Sequence, residues 1–301
     1  MSVIDRLGSG RTGSDAIVRV LSTFVVFFAV LIGLGQLIAS VPTPSILVNL
    51  PGNLAAFAGV GAVLAVMLRL FDLSPGAYGL AIDRDWVTDL LGGVVLGVLF
   101  QAISTAAILG TDDGMIVAQW DTGVAEGVNG AIVAVTATII AFFAVALWEE
   151  LLFRAVLIRE LVVGLRAHGV SQSTATAAGV VGSTLLFGIL HLGAGASGLS
   201  AAVVVLQAVV GGLYFGLAYV LTGSLALPVG IHLSTNLWTT VVFGQPDSGF
   251  PAAFRLTRPF DFGADLLVTM LLPAGVLVAA VFGWIRATRG GFPKVTLSHG
   301  S

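Results

Sequence analysis

The chain contains no cysteine, which excludes disulfides, thiolate metal sites and cysteine nucleophiles. Charge is almost as scarce. Only 10% of the residues are charged, where a soluble domain carries about a quarter. There are four glutamates in 301 residues, and Lys294 is the one lysine among thirteen basic residues. This excludes a soluble domain of useful size. What fills the chain instead is apolar: 57% hydrophobic residues and a mean hydropathy of +1.03. That balance defines a polytopic membrane protein. The net charge of −3 carries little weight because most of the surface faces lipid. No nucleic-acid partner is expected, and the bilayer itself is the first partner.

A membrane-crossing helix needs about 20 apolar residues. Such runs lie at about 16–40, 53–70, 90–109, 173–192, 199–222, 225–243 and 266–285, with a further one starting near Ala131. The expected fold is therefore all-α, a polytopic helix bundle of about eight transmembrane helices forming one domain over 1–301. A polar N-terminal segment, 1–15, precedes it and a basic tail, 286–301, follows. The first run is too long for a signal peptide and is expected to be retained. Pro42, Pro44 and Pro51 mark the first turn, 111–129 and 244–265 are long loops, and Arg159–Gln172 is expected at the interface. With both termini in the cytoplasm, eleven of the thirteen basic residues fall on that side, leaving only Arg255 and Arg258 outside. A multi-pass protein of the cell membrane is the expected location. Small-residue pairs, Gly93 with Gly97 and Gly212 with Gly216, predict close helix packing.

Two of the four glutamates, Glu149 and Glu150, stand side by side at the end of the apolar run from Ala131 to Leu147. An acidic side chain at the bilayer centre costs roughly 2.5–3.5 kcal/mol on the insertion scale, so the pair is not there for stability. Glu150 and Arg154 are four apart and share a helix face. Glu149 points about 100° away and has no local partner. A structural ion pair accounts for Glu150 and Arg154 but leaves Glu149 without a role. Three more polar groups interrupt apolar spans: His191, four residues after Phe187, and His232 with Asn236, again four apart. Two intramembrane histidines on different spans, beside a glutamate pair on a third, predict convergence on one site. A carboxylate or imidazole can take a proton from water. A histidine and an amide can donate to the oxyanion formed when that water attacks a carbonyl. The set suffices for hydrolysis of an amide.

Glu-Glu-x-x-x-Arg at 149–154, Phe-x-x-x-His at 187–191 and His-x-x-x-Asn at 232–236, in that order on successive spans, resemble the CPBP family. These are intramembrane endopeptidases related to the CAAX prenyl protease and to bacteriocin-immunity (Abi) proteins. The resemblance covers about 134–242 and includes Thr222 to Pro228 as the lead-in to the third motif. It implies that Glu149 is the catalytic carboxylate, activating water with His191. It implies that His232 and Asn236 bind the oxyanion and that Glu150 and Arg154 support the site. The implied partner is a membrane-associated peptide or protein, prenylated or otherwise lipidated. Two mechanisms follow from it: one with no cofactor, and one in which Glu149, His191 and His232 hold a zinc ion.

Rival readings exist. Gly195-Ala196-Ser197-Gly198 matches the serine motif of rhomboid proteases, but leaves the glutamate pair idle. There is no His-Glu-x-x-His, so a site-2-type zinc protease is excluded. A scaffold or immunity protein of the same fold, and a proton-coupled transporter using Glu149 and His191, remain as non-proteolytic classes. The span boundaries also pose a problem. They set Glu149, His232 and His191 at three depths that cannot meet, unless the fourth helix continues to about Val163 or the fifth starts after Ser173.

Overall fold

The computed structural model describes residues 13–39, 50–70, 73–110, 115–121, 127–193, 199–244, 251–257 and 266–290. The turn expected at Pro42 and Pro44, the Ser197 motif and the ends of both termini lie outside these residues. The protein is a helical bundle. In chain order it comprises α1 Gly13–Ala39, α2 Leu50–Leu70, α3 Arg84–Leu109, β1 Met115–Asp121 and α4 Gly127–Glu150. After α4 come a wide-turned stretch Leu151–Ile158, α5 Arg159–Ala167, α6 Gln172–Leu190, α7 Leu199–Thr222 and α8 Ala226–Leu237. The last elements are β2 Ala252–Thr257 and α9 Leu272–Arg289. Among the described residues, seven helices are long and apolar enough to cross a membrane.

Three features depart from the sequence expectations. The fourth helix does not stop near the glutamates. It runs without a break from Asn129 to Ala167, 39 residues, or about 58 Å at 1.5 Å per residue. Glu149 and Glu150 therefore stand near its middle, which removes the conflict of depths. Its wide-turned stretch is a π-helix directly after Glu150, with all eight residues buried. Secondly, the seventh expected span is short: the 12 residues of α8 and a five-residue π turn, Trp238–Val242. Every residue from Ala226 to His232 is buried, so α8 is walled by protein and need not match the bilayer. Thirdly, the two long loops are partly ordered together. β1 and β2 pair antiparallel, Met115 opposite Thr257 and Ala118 opposite Phe254.

Glycine permits the closest contacts. A Cβ on Gly93 would run into the Leu227 carbonyl, and one on Gly230 into the Leu90 carbonyl and the Val94 nitrogen. α3 and α8 thus touch backbone to backbone. Gly212 and Gly216 bring α7 against Thr184 and Val180 of α6 in the same manner.

The segment Arg159–Gln172, expected at the interface, instead begins with a buried ion cluster. Glu160 accepts from Arg19 Nε at 2.6 Å, from Tyr78 Oη at 3.0 Å and from Arg159 Nη1. The polar residues that suggested an exposed segment are satisfied by each other, which is how charge is buried. Burial and the adjacent Glu160 carboxylate push the Tyr78 phenol well above its ordinary pKa, so it remains a neutral donor. A second clamp ties α9 to α3: Arg289 Nη2 meets Asp89 Oδ2 at 2.6 Å, and Trp284 Nε1 donates to Asp89 Oδ1 at 2.9 Å.

Gly230→Ala should destabilise the bundle by about 1–3 kcal/mol through overpacking. Gly275→Ala, whose added methyl meets open space, should be neutral. Thermal unfolding of the two variants in detergent checks this.

Candidate active site

Three helices carry the polar groups inward. Glu149 and Glu150 end α4, Arg154 lies in the π stretch, His191 caps the end of α6, and His232 and Asn236 lie on α8. Arg154 is fully buried, with Nε 3.0 Å from Glu150 Oε2, close enough for an ion pair though not aligned as a hydrogen bond. Aromatic faces complete its surroundings. Its guanidinium sits 4.5 Å from the centre of the Phe187 ring and 5.4 Å from that of Phe215. Rings of this kind are the available counter-surface for a cation in an apolar core.

Glu150 uses its other oxygen on a second helix. His232 Nδ1 lies 2.9 Å from Glu150 Oε1 and donates to it. That bond fixes the imidazole, and Phe215 stacks on its face at 4.7 Å. The opposite nitrogen, Nε2, is thereby aimed at Glu149 Oε2, 3.7 Å away. This is beyond a direct hydrogen bond, and Glu149 Oε2 has no partner among the described residues. The two adjacent glutamates are thus distinguished by the structure. Glu150 is committed to Arg154 and His232, and Glu149 keeps an oxygen free.

His191 Nδ1 stands 2.7 Å from the Phe187 carbonyl. A carbonyl only accepts, so Nδ1 carries the proton and Nε2 presents a lone pair. His191, His232 and Asn236 line one cavity of about 730 Å³. Glu149 is not part of that lining and reaches it past His232. Glu150 and Arg154 lie behind, fully buried. Sequence reasoning missed Phe215, which packs on His232, and Tyr214 and Gln101, which line the cavity. The adjacent aromatics after Gly211-Gly212 were the available signal for the first two.

Zinc was the conditional ligand of Glu149, His191 and His232. Both histidines do present Nε2. Yet no three of His, Cys, Asp or Glu stand close enough together among the described residues to share an ion. The arrangement does not fit a three-ligand metal site, and no step is routed through one.

A multi-pass helical membrane protein with two imidazoles and an amide lining a cavity, and a carboxylate behind one imidazole, is the class these observations define. Residues 131–238 match the family model of type II CAAX prenyl endopeptidases, Rce1-like. The match spans all three motifs and a little over a third of the chain, and it shows the resemblance that those motifs carry. The chain matches no curated protein and no solved structure.

Glu150→Gln should cost about 3–5 kcal/mol, because it leaves Arg154 buried without its charge partner. Glu149→Gln should leave stability near that of the unmodified chain. Denaturation of both variants in one detergent gives the comparison.

Proposed function

We propose that the chain is an intramembrane endopeptidase that hydrolyses a peptide bond of a membrane-associated substrate with water activated by Glu149. The observation that carries this is the free Glu149 oxygen 3.7 Å from His232 Nε2, inside the segment that matches the Rce1-like family.

A water admitted between Glu149 Oε2 and His232 Nε2 would stand at hydrogen-bond distance from both base and donor. Glu149 takes its proton while the water oxygen bonds to the substrate carbonyl carbon, and the carbonyl oxygen becomes an oxyanion. His232 meets that charge with Nε2–H. It carries both protons in this reading. Two carboxylates then face two cations, Arg154 and His232, and the buried cluster is neutral. Asn236, one helical turn along α8 and on the same cavity wall, donates its amide to the same oxygen. As the tetrahedral centre collapses, the C–N bond breaks and the leaving amine takes the proton held by Glu149. The Nε2 lone pair of His191 accepts a hydrogen bond from the water and orients it. Glu150 and Arg154 position the site. Glu150, held by Arg154, fixes the His232 imidazole in one orientation, the part a carboxylate plays behind a histidine in other hydrolases.

Glu149→Gln retains shape and hydrogen bonding but cannot accept a proton. It should reduce kcat about 10²–10⁴-fold without altering the fold. Asn236→Ala should cost about 10²–10³-fold, the effect of one lost oxyanion donor. Purified protein assayed against peptide and lipopeptide libraries measures both. Full activity in Glu149→Gln would return the chain to the scaffold or transporter classes. Exhaustive chelation should leave turnover unchanged, and a loss restored by Zn²⁺ would overturn the metal-free arrangement.

A further inference from the structure

The cavity has a definite end. On α3 it is lined from Phe100 to Ile108, beyond the helix midpoint, and on α6 only by Phe187 and His191 at the C-terminus. On α8 its wall begins at His232 and continues to Gly244. Arg255 and Leu256 of β2 complete it, with Thr269 and Met270 at the start of the final helical segment. On α7 the lining runs from Val204 to Phe215, so the cavity reaches from about mid-depth toward the end of the bundle that carries the β1–β2 ribbon.

The opposite end is closed. Arg19, Tyr78, Arg159 and Glu160 form their buried cluster there. The Leu225 amide donates to the Gly79 carbonyl at 3.1 Å, joining the start of α8 to the α2–α3 turn. The clamp of Asp89 by Arg289 and Trp284 locks α9 over the same end. Neither histidine can be reached from that side without breaking buried ion pairs.

Charge says which end is which. Among the described residues, Arg19, Arg69, Arg84, Arg159, Arg166, Arg286 and Arg289 stand at the closed end, and Arg154 is buried at mid-depth. In sequence, the segments 111–129 and 244–265, which contain the two ribbon strands, carry only Arg255 and Arg258 against seven acidic residues. Short segments rich in arginine stay in the cytoplasm. The ribbon exposes Met115, at 62%, with Val117 and Phe254, beside the exposed Arg255. Such a surface belongs in the interfacial layer of a bilayer rather than in bulk water.

We infer that the cavity opens to the extracytoplasmic face, and that the substrates are peptide segments presented at the outer leaflet rather than the cytoplasmic tails of lipidated proteins. The chemistry assigned to this opening rests on the endopeptidase reading. The side on which it opens does not.

The absence of cysteine makes the test direct. Single variants Leu256→Cys at the mouth, Thr239→Cys on the cavity wall and His168→Cys at the closed end are expressed in intact cells and treated with a charged, membrane-impermeant maleimide. The first two should be labelled in intact cells, and His168→Cys only after permeabilisation. The reverse pattern overturns the inference. So does a Thr239→Cys that reacts only from the inside, or from neither side. In parallel, a water-soluble quenched-fluorescent peptide library is added outside sealed right-side-out vesicles, and to detergent-solubilised protein. Cleavage in both supports outward access. Cleavage in detergent alone rejects outward access while the endopeptidase reading stands. No cleavage in either rejects the endopeptidase reading, and the labelling still decides the side.

Discussion

The contact of Glu150 with Arg154 and His232 is the constraint on which the rest of the bundle depends. Burying an ion costs several kcal/mol even after relaxation, and mutual attraction repays this only with good geometry and further partners. Here a carboxylate divides its two oxygens between a guanidinium on its own helix and an imidazole on another. The guanidinium is surrounded by aromatic rings rather than by water. The arrangement requires α8 to lie close to α4, with Phe187 and Phe215 filling the remaining sides. Glycine at 93 and 230 lets α3 approach α8 to backbone contact from the other direction. The small residues of this chain and its few charges are thus two halves of one packing solution.

The division of labour between Glu149 and Glu150 follows from helix geometry. Adjacent residues on a helix point about 100° apart, so only one of the two can face Arg154 at i+4. The other is turned toward the neighbouring helix and is left with one oxygen unpartnered. The π stretch that follows keeps Arg154 and its neighbours buried on every side. Such widened turns recur at functional sites, where they aim side chains that a regular helix would place elsewhere.

Much of this was legible in the sequence. The pairing of Glu150 with Arg154 and the availability of Glu149 follow from spacing within apolar runs; of the four groups expected to line one cavity, His191, His232 and Asn236 do and Glu149 does not. Charge in hydrocarbon is too costly to be incidental, so each such residue carries information. The unreadable parts share one cause. Hydropathy marks where a segment is apolar, not what surrounds it. Arg159 and Glu160 looked like an interfacial turn because the partners of Glu160, Arg19 and Tyr78, are 141 and 82 residues from it in the chain. The continuation of the fourth helix through that region was hidden for the same reason, and with it the true depth of the glutamates. The β1–β2 ribbon joins two loops separated by α4 to α8, and nothing local in either loop announces the other.

The two buried carboxylate clusters show what separates a structural group from a reactive one. Glu160 and Glu149 are both glutamates on the same long helix, and both have cationic or imidazole partners nearby. Glu160 is saturated: Arg19, Arg159 and Tyr78 donate to its two oxygens, so a proton or a water would have to displace a hydrogen bond to reach it. Glu149 stands 3.7 Å from its imidazole neighbour, with an oxygen uncommitted. In a low-dielectric interior an unmet acceptor of this kind is expensive. Its persistence beside a cavity makes sense where the missing partner is supplied by the reaction. Hydrogen-bond saturation, more than burial or charge, is therefore the property that distinguishes the seal at one end of this bundle from the candidate site at its centre.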